Sequence, residues 1–234
     1  MFPLKDNIPS RHFPVVNLWL IIVNILCFVY QSSLGPELEG FIVSHGFVPV
    51  RFAAEQAGNG ISFGRYRPIF SAMFLHGGLL HLFSNLWMLW IFGDNVEDRM
   101  GHGRYLIFYL LCGAGAAFAQ FWANPQSQVP MIGASGAIAG VLGAYFLLYP
   151  RARILTFIPV FILFYLVEIP AYFFIGFWFL MQFLQGAAQQ AMVGVAEGGV
   201  AWWAHVGGFI TGVCLLYFFK QSPGKVAGQV GGVS

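Results

Sequence analysis

Charged side chains are scarce in this chain. Lys, Arg, Asp and Glu make up 9% of its 234 residues and hydrophobic residues 58%, whereas a soluble domain carries about 25% charge. Too few polar groups remain to cover a water-facing surface, so lipid is the expected solvent, and the length suits one compact membrane domain. A large charge of one sign is missing too. The net charge of +2 is too small to suggest a nucleic-acid partner. Only three cysteines are present, Cys27, Cys112 and Cys214. Their odd count and apolar settings exclude a disulfide framework and read as packed thiols. Cys112 has no charged neighbour in sequence to activate it as a nucleophile. The start does not read as a cleavable leader. Residues 1–13 are mixed polar, and the apolar run 14–34 has spanning length with no small-residue cleavage pattern closing it.

What is present is long apolar runs. Six are expected to span, at about 14–34, 77–95, 104–123, 134–150, 169–187 and 200–219. Backbone in hydrocarbon must satisfy its own hydrogen bonds, so each should be a helix. The expected fold is an all-α polytopic membrane protein, a six-helix bundle. The stretch 154–185 contains Pro159 and Pro170 and is too long for one span of about 20 residues yet too short for two. One helix is placed after Pro170, and 154–168 is expected as an interfacial or re-entrant piece packed on protein.

Charge placement orients the bundle. Lys5 and Arg11 precede the first span, Arg99 and Arg104 separate the second from the third, Arg151 and Arg153 the fourth from the fifth, and Lys220 and Lys225 follow the sixth. Loops 124–133 and 188–199 hold no Lys or Arg. The positive-inside rule then puts both termini in the cytoplasm. The expected division is a cytoplasmic segment 1–13, a membrane domain 14–219 whose outer loop 35–76 forms short interfacial helices, and a flexible Gly- and Ser-rich tail 220–234. Spans two, four and six all run from outside to inside. Their first turns therefore share one depth near the outer face, and these carry His81, Ser135 and His205.

A lone serine in a membrane helix is usually packing glue. Ser135 is set differently. Small residues at 133, 134, 136 and 137 leave its hydroxyl uncovered, and it opens a helix, where free N–H groups favour a developing oxyanion. Gly136, Gly140 and Gly143 on span four and Gly208 and Gly212 on span six form small-residue seams for close helix packing. Such a seam would bring Ser135 beside His205. A lone membrane histidine is often a packing residue or proton relay, but beside an exposed serine it is a candidate general base, neutral at rest. No Asp or Glu lies near either residue in sequence or depth, so a Ser–His dyad without an acid is expected. His81 and Asn85 are four apart and share a helix face. Asn in the apolar part of a helix is costly without a partner. Both can donate to an oxyanion together with the Ser135 N–H. A zinc site from His76, His81 and His205 lacks carboxylate or thiolate company, so no metal is expected.

These residues resemble a known family. His81-x-x-x-Asn85, Gly133-x-Ser135-Gly136 and Ala204-His205-x-Gly207-Gly208-x-x-x-Gly212 look like the three signatures of rhomboid intramembrane serine proteases, in that family's order and spacing. Gly93-x-x-x-Glu97-Asp98-Arg99-x-Gly101 resembles the family's turn after its second span. The resemblance covers about 65–219. It implies Ser135 as nucleophile, His205 as base, His81 and Asn85 in the oxyanion hole, and His76 as a structural histidine. It implies no cofactor. The implied substrates are single-span membrane proteins cut near the outer face, and the expected setting is the plasma or inner membrane of a prokaryote. Two positions depart from the pattern. The family often has an aromatic four residues after the serine, where this chain has Ala139, so Trp202 or Trp203 is the candidate to orient His205. Pro68, preceded by Arg67, stands where a Trp-Arg pair is common.

Two other classes compete. A rhomboid-like scaffold that holds membrane clients without cutting them should lack Ser135 or His205, and this chain keeps both. A proton-coupled transporter would lean on Glu168, the one intramembrane acid candidate. Its place just before Pro170 suits a solvated or capping role, and no inverted repeat is visible. The Phe-rich fifth span lacks a matching glycine seam and is the candidate for a lateral substrate entrance.

Overall fold

The computed structural model describes residues 1–57, 63–191 and 199–221. A short strand, β1 (Phe2–Asp6), leads into α1 (Val15–Ser33), and three short helices follow: α2 (Leu38–His45), α3 (Pro49–Ala57) and α4 (Phe63–Ser71). Then come α5 (Leu79–Met100), α6 (His102–Ala123) and α7 (Ser135–Leu148). A hairpin of β2 (Arg153–Val160) and β3 (Leu163–Pro170) leads to α8 (Ala171–Ala191) and α9 (Trp202–Phe219). Of these, α1, α6, α8 and α9 are each long and apolar enough to cross a membrane, and α5 joins them if counted with Gly64–Phe74, from which it is bent by 85°. The chain is a mostly helical, multi-pass membrane protein.

The expectation of an all-α fold is corrected by the sheet. β1, β2 and β3 form one antiparallel sheet in that order, with Phe2 opposite Phe157 and Asp6 opposite Ile154. Residues 154–168, expected as an interfacial or re-entrant piece, are most of its hairpin, in register from Arg153↔Pro170 to Val160↔Leu163. The composition favours this: β-branched and aromatic residues fill the run, and Pro159 and Pro170 both discourage a helix through it. Ile154, Thr156 and Ile169 are buried, whereas Phe161 to Glu168 are exposed. Along its length β1 follows α5. Trp87 Nε1 donates to the Pro3 carbonyl at 2.6 Å and Asn95 Nδ2 donates to Asp6 Oδ2 at 2.9 Å.

The short α7 is the centre of the molecule. Gly136 through Tyr145 are all buried, so this helix faces protein on every side and needs no lipid-matched length. Its seam with α9 is tight. A β-carbon on Gly208 would lie 1.9 Å from the Gly136 carbonyl oxygen, and one on Gly212 would lie 2.1 Å from that of Gly140. Glycine at these positions lets the two backbones touch.

α1 docks through a polar ladder. Asn17, Asn24 and Gln31 are spaced by seven, which is two helical turns, and all three are buried. Asn17 takes the Tyr105 hydroxyl on its Oδ1 at 2.9 Å and donates to the Leu89 carbonyl at 3.0 Å. The first turn of α1 is capped from a distance: Glu97 accepts from the N–H groups of Val16 at 3.0 Å and Asn17 at 2.7 Å. Asp98 likewise accepts the N–H groups of Arg11 and His12. These partners let α5 run to Met100 through acidic residues, past the expected end at 95. Gly101 then ends it at φ +79, a backbone conformation that favours glycine.

The described residues of 35–76 include the three short helices α2, α3 and α4. Phe47, Phe52, Ile69 and Ala72 bury themselves with Ala117 of α6 in a second small core, and Pro68 is accommodated inside α4. The tail assigned to 220–234 lies beyond the described residues from 222 onward.

Candidate active site

Ser135 opens α7, and the loop before it is held at two points. Phe47 and Met131 exchange backbone hydrogen bonds at 3.0 and 2.8 Å, and the Gly133 N–H donates to the Ala72 carbonyl at 2.9 Å. The second small core therefore fixes the approach to the serine. Gly133 sits at φ +123, and a β-carbon there would meet His81 Nε2 at 2.7 Å. Glycine is required on both counts. The first ladder bond of α7 runs from the Ile138 N–H to the Ala134 carbonyl, and Ala134 offers no side-chain cap. The N–H groups of the first turn, that of Ser135 included, are free of the helix ladder.

His205 lies in the first turn of α9 and is 8% exposed. Its Nε2 is 2.8 Å from Ser135 Oγ and its Nδ1 is 2.7 Å from Gln182 Oε1 on α8. Both contacts are satisfied with the proton on Nδ1: the ring donates to the Gln182 amide oxygen and accepts the serine hydroxyl proton. Trp178 and Trp202 flank the ring, with centroids at 5.9 and 6.1 Å. Trp203, the other candidate to orient His205, packs instead edge-on against Phe183. Ala139 is buried among core residues and leaves the imidazole to partners from α8 and α9.

His81 and Asn85 share one face of α5, as their spacing predicts. The Gly77 N–H donates to His81 Nδ1 at 3.3 Å, which leaves the proton on Nε2, the atom facing Gly133. Asn85 is 6% exposed, and its Nδ2 has no hydrogen-bond partner among the described residues. A buried donor left unpaired costs about 1–3 kcal/mol, so this amide is held ready for an acceptor. His76 is fully buried. Gln31 clamps its backbone from both sides, donating to its carbonyl and accepting its N–H, and its ring meets that of His81 edge-on at 5.1 Å.

These groups line one cavity of about 510 Å³, which Ser135, His205, His81, Asn85 and Gln182 share. It extends between α5, at Ser84 and Met88, and α8, at Trp178. Among the sequence candidates, Ser135, His205, His81, Asn85 and Gly133 converge on it. Gly140, Gly208 and Gly212 belong to the α7–α9 seam, and Gly136 serves both. Gln182 is the site residue the sequence reading passed over. Its signal was available, since a primary amide in the apolar middle of a helix needs a partner.

A Rhomboid domain model matches residues 64–222. Curated relatives include "Rhomboid protein 1, mitochondrial" of Saccharomyces cerevisiae, 27% identical over 67% of this chain and 43% of its own length. "Rhomboid protease GluP" of Bacillus subtilis is 40% identical over 36% of this chain and 16% of its own length. "RHOMBOID-like protein 6, mitochondrial" of Arabidopsis thaliana is 30% identical over 66% of this chain and 44% of its own length. The matches span less than half the length of these relatives.

Proposed function

Because this chain belongs to the rhomboid family, we propose that it is an intramembrane serine endopeptidase, with Ser135 as nucleophile and His205 as general base. The observation that carries this reading is the 2.8 Å contact of Ser135 Oγ with His205 Nε2, made between two helices and opening on a cavity. A serine hydroxyl is a weak nucleophile until a base takes its proton. Here Ser135 attacks a peptide carbonyl while His205 Nε2 accepts the hydroxyl proton. The Ser135 N–H, His81 Nε2–H and Asn85 Nδ2–H receive the oxyanion. His205 then protonates the leaving amine, and water, activated by the same imidazole, releases the acyl group. The chemistry calls for no metal or cofactor.

The proposed topology has six spans and both termini in the cytoplasm, which sets the cavity near the outer face and within reach of water. Substrates are single-span membrane proteins. A regular helix hides its carbonyls in i→i−4 bonds, so the substrate unwinds where it is cut, and residues of low helix propensity favour that. Entry is lateral, between α5 and α8, where the cavity extends. The relatives come from mitochondria and from a bacterium. The mitochondrial relatives do not support the expected prokaryotic plasma or inner membrane, and the membrane in which this chain resides is left open.

The deciding experiment compares wild type with Ser135→Ala and His205→Ala in liposomes on a single-span substrate. Cleavage by wild type and its loss in both variants, with unchanged thermal unfolding, is the expected result. A folded wild type that holds the substrate uncut would make the protein a scaffold instead.

A further inference from the structure

We propose that Gln182 is a positioning residue for the dyad, one that keeps the His205 proton on Nδ1 and makes the competence of the base depend on where α8 sits. The inference rests on the Ser135–His205 reading above. A neutral imidazole accepts the serine proton on Nε2 only in the tautomer that carries its hydrogen on Nδ1, and the tautomer is chosen by the partner at Nδ1. That partner is Gln182 Oε1 at 2.7 Å. Gln182 is 8% exposed, and a primary amide so buried in an apolar helix is costly unless it is paired. Among the described residues, no Asp or Glu lines the cavity. A carboxylate there would carry a charge into an apolar wall, whereas an amide fixes the tautomer and ring plane while staying neutral.

The same helix supplies the ring contact. Trp178 is one turn before Gln182 and shares its face, and its ring lies 5.9 Å from that of His205. α8 thus provides both a hydrogen bond and an aromatic neighbour, where Ala139 offers neither. α8 is held differently from the central helices. α7 and α9 touch backbone to backbone, while α8 meets α9 through aromatic side chains such as Phe179 on Phe209 and leaves Phe173, Phe177, Leu180 and Leu184 exposed. A displacement of α8 that widens the α5–α8 opening draws Gln182 off Nδ1 and frees the imidazole to turn. The base is then set only once α8 has returned, so entry of substrate and attack on it belong to two positions of one helix.

The test uses the full chain in lipid nanodiscs with a single-span substrate, comparing wild type, Gln182→Leu, Gln182→Glu and Ser135→Ala. Gln182→Leu should lower kcat by about ten- to a hundredfold, part of what general-base catalysis supplies, with KM within about twofold and the protein still folded at the assay temperature. Gln182→Glu restores an acceptor at Nδ1 and should recover most of kcat above neutral pH. Its carboxylate favours the charged imidazolium, which cannot accept the serine proton, so the acidic limb of its rate profile should move to higher pH. Recovery of kcat by Gln182→Glu but not by Gln182→Leu is what a packing role alone would not give. Wild-type kcat in Gln182→Leu, or an unmoved limb in Gln182→Glu, overturns the inference while leaving the dyad intact. Undiminished cleavage by Ser135→Ala would remove the dyad reading beneath it.

Discussion

Gly208 of α9 rests directly on the Gly136 carbonyl of α7, with 1.9 Å between that oxygen and the place a β-carbon would occupy. Neither side is a flexible side chain that could turn away. The contact lies beside the Ser135–His205 pair, so the seam that packs the two helices also sets the distance between those two side chains.

Gly208→Ala should therefore cost about 3 kcal/mol or more, the upper end of overpacking penalties, and should weaken fluorophosphonate labelling of Ser135 even in protein that stays folded. Gly103→Ala is the matched control. A β-carbon there meets nothing within 4 Å, and replacing a helical glycine by alanine should stabilise by up to about 1 kcal/mol. Equal unfolding temperatures for the two variants would show that the seam is not tight.

Much of this arrangement is legible in the sequence because lipid imposes simple rules. Apolar runs of spanning length read as helices, and the expected alternation of their directions puts the starts of α5, α7 and α9 at one end, where the structure brings His81, Ser135 and His205 to one cavity. The sheet was not legible in the same way. Residues 160–167 are apolar at every position, so neither a two-residue nor a 3.6-residue period stands out. The partner strand β1 lies some 150 residues earlier, inside a segment that reads as mixed polar. Three amides were legible but unread. Asn17, Asn24 and Gln31 repeat every seven residues on an apolar helix, the pattern of a face that docks on polar partners. Gln182 carries the signal that singled out Asn85.

Asn85 offers a separable test of catalysis against stability. Its Nδ2 is buried and unpartnered among the described residues, so the folded protein bears its desolvation cost, and under the proposed mechanism an oxyanion is the acceptor that would offset it. Asn85→Ala should lower kcat by about 10²–10³-fold, the typical effect of removing one oxyanion donor. It should leave KM nearly unchanged and raise stability by roughly 1 kcal/mol. A variant that is both less stable and weaker in KM would mark Asn85 as a packing residue.

Glu97 provides the complementary case, a residue whose loss should affect stability alone. It lies sixteen residues along α5 from His81, about 24 Å at 1.5 Å per residue, so it touches nothing in the cavity. Its carboxylate receives the Val16 and Asn17 N–H groups and meets His102 Nδ1, while its side chain is 2% exposed. Two helix N–H groups would be stranded without it. Losing a cap costs about 1 kcal/mol, and hydrogen bonds to a charged group are worth about 1.5–3 kcal/mol each. Glu97→Ala should thus destabilise by about 2–4 kcal/mol and lower the unfolding temperature by roughly 5–15 °C for a chain of this size. Hydrogen exchange should show the loss first at the start of α1, where Val16 and Asn17 no longer have an acceptor. Below its melting point the variant should cleave at the wild-type rate. A lowered kcat with unchanged melting would mean that the far end of α5 communicates with the cavity by a route other than the anchoring of α1.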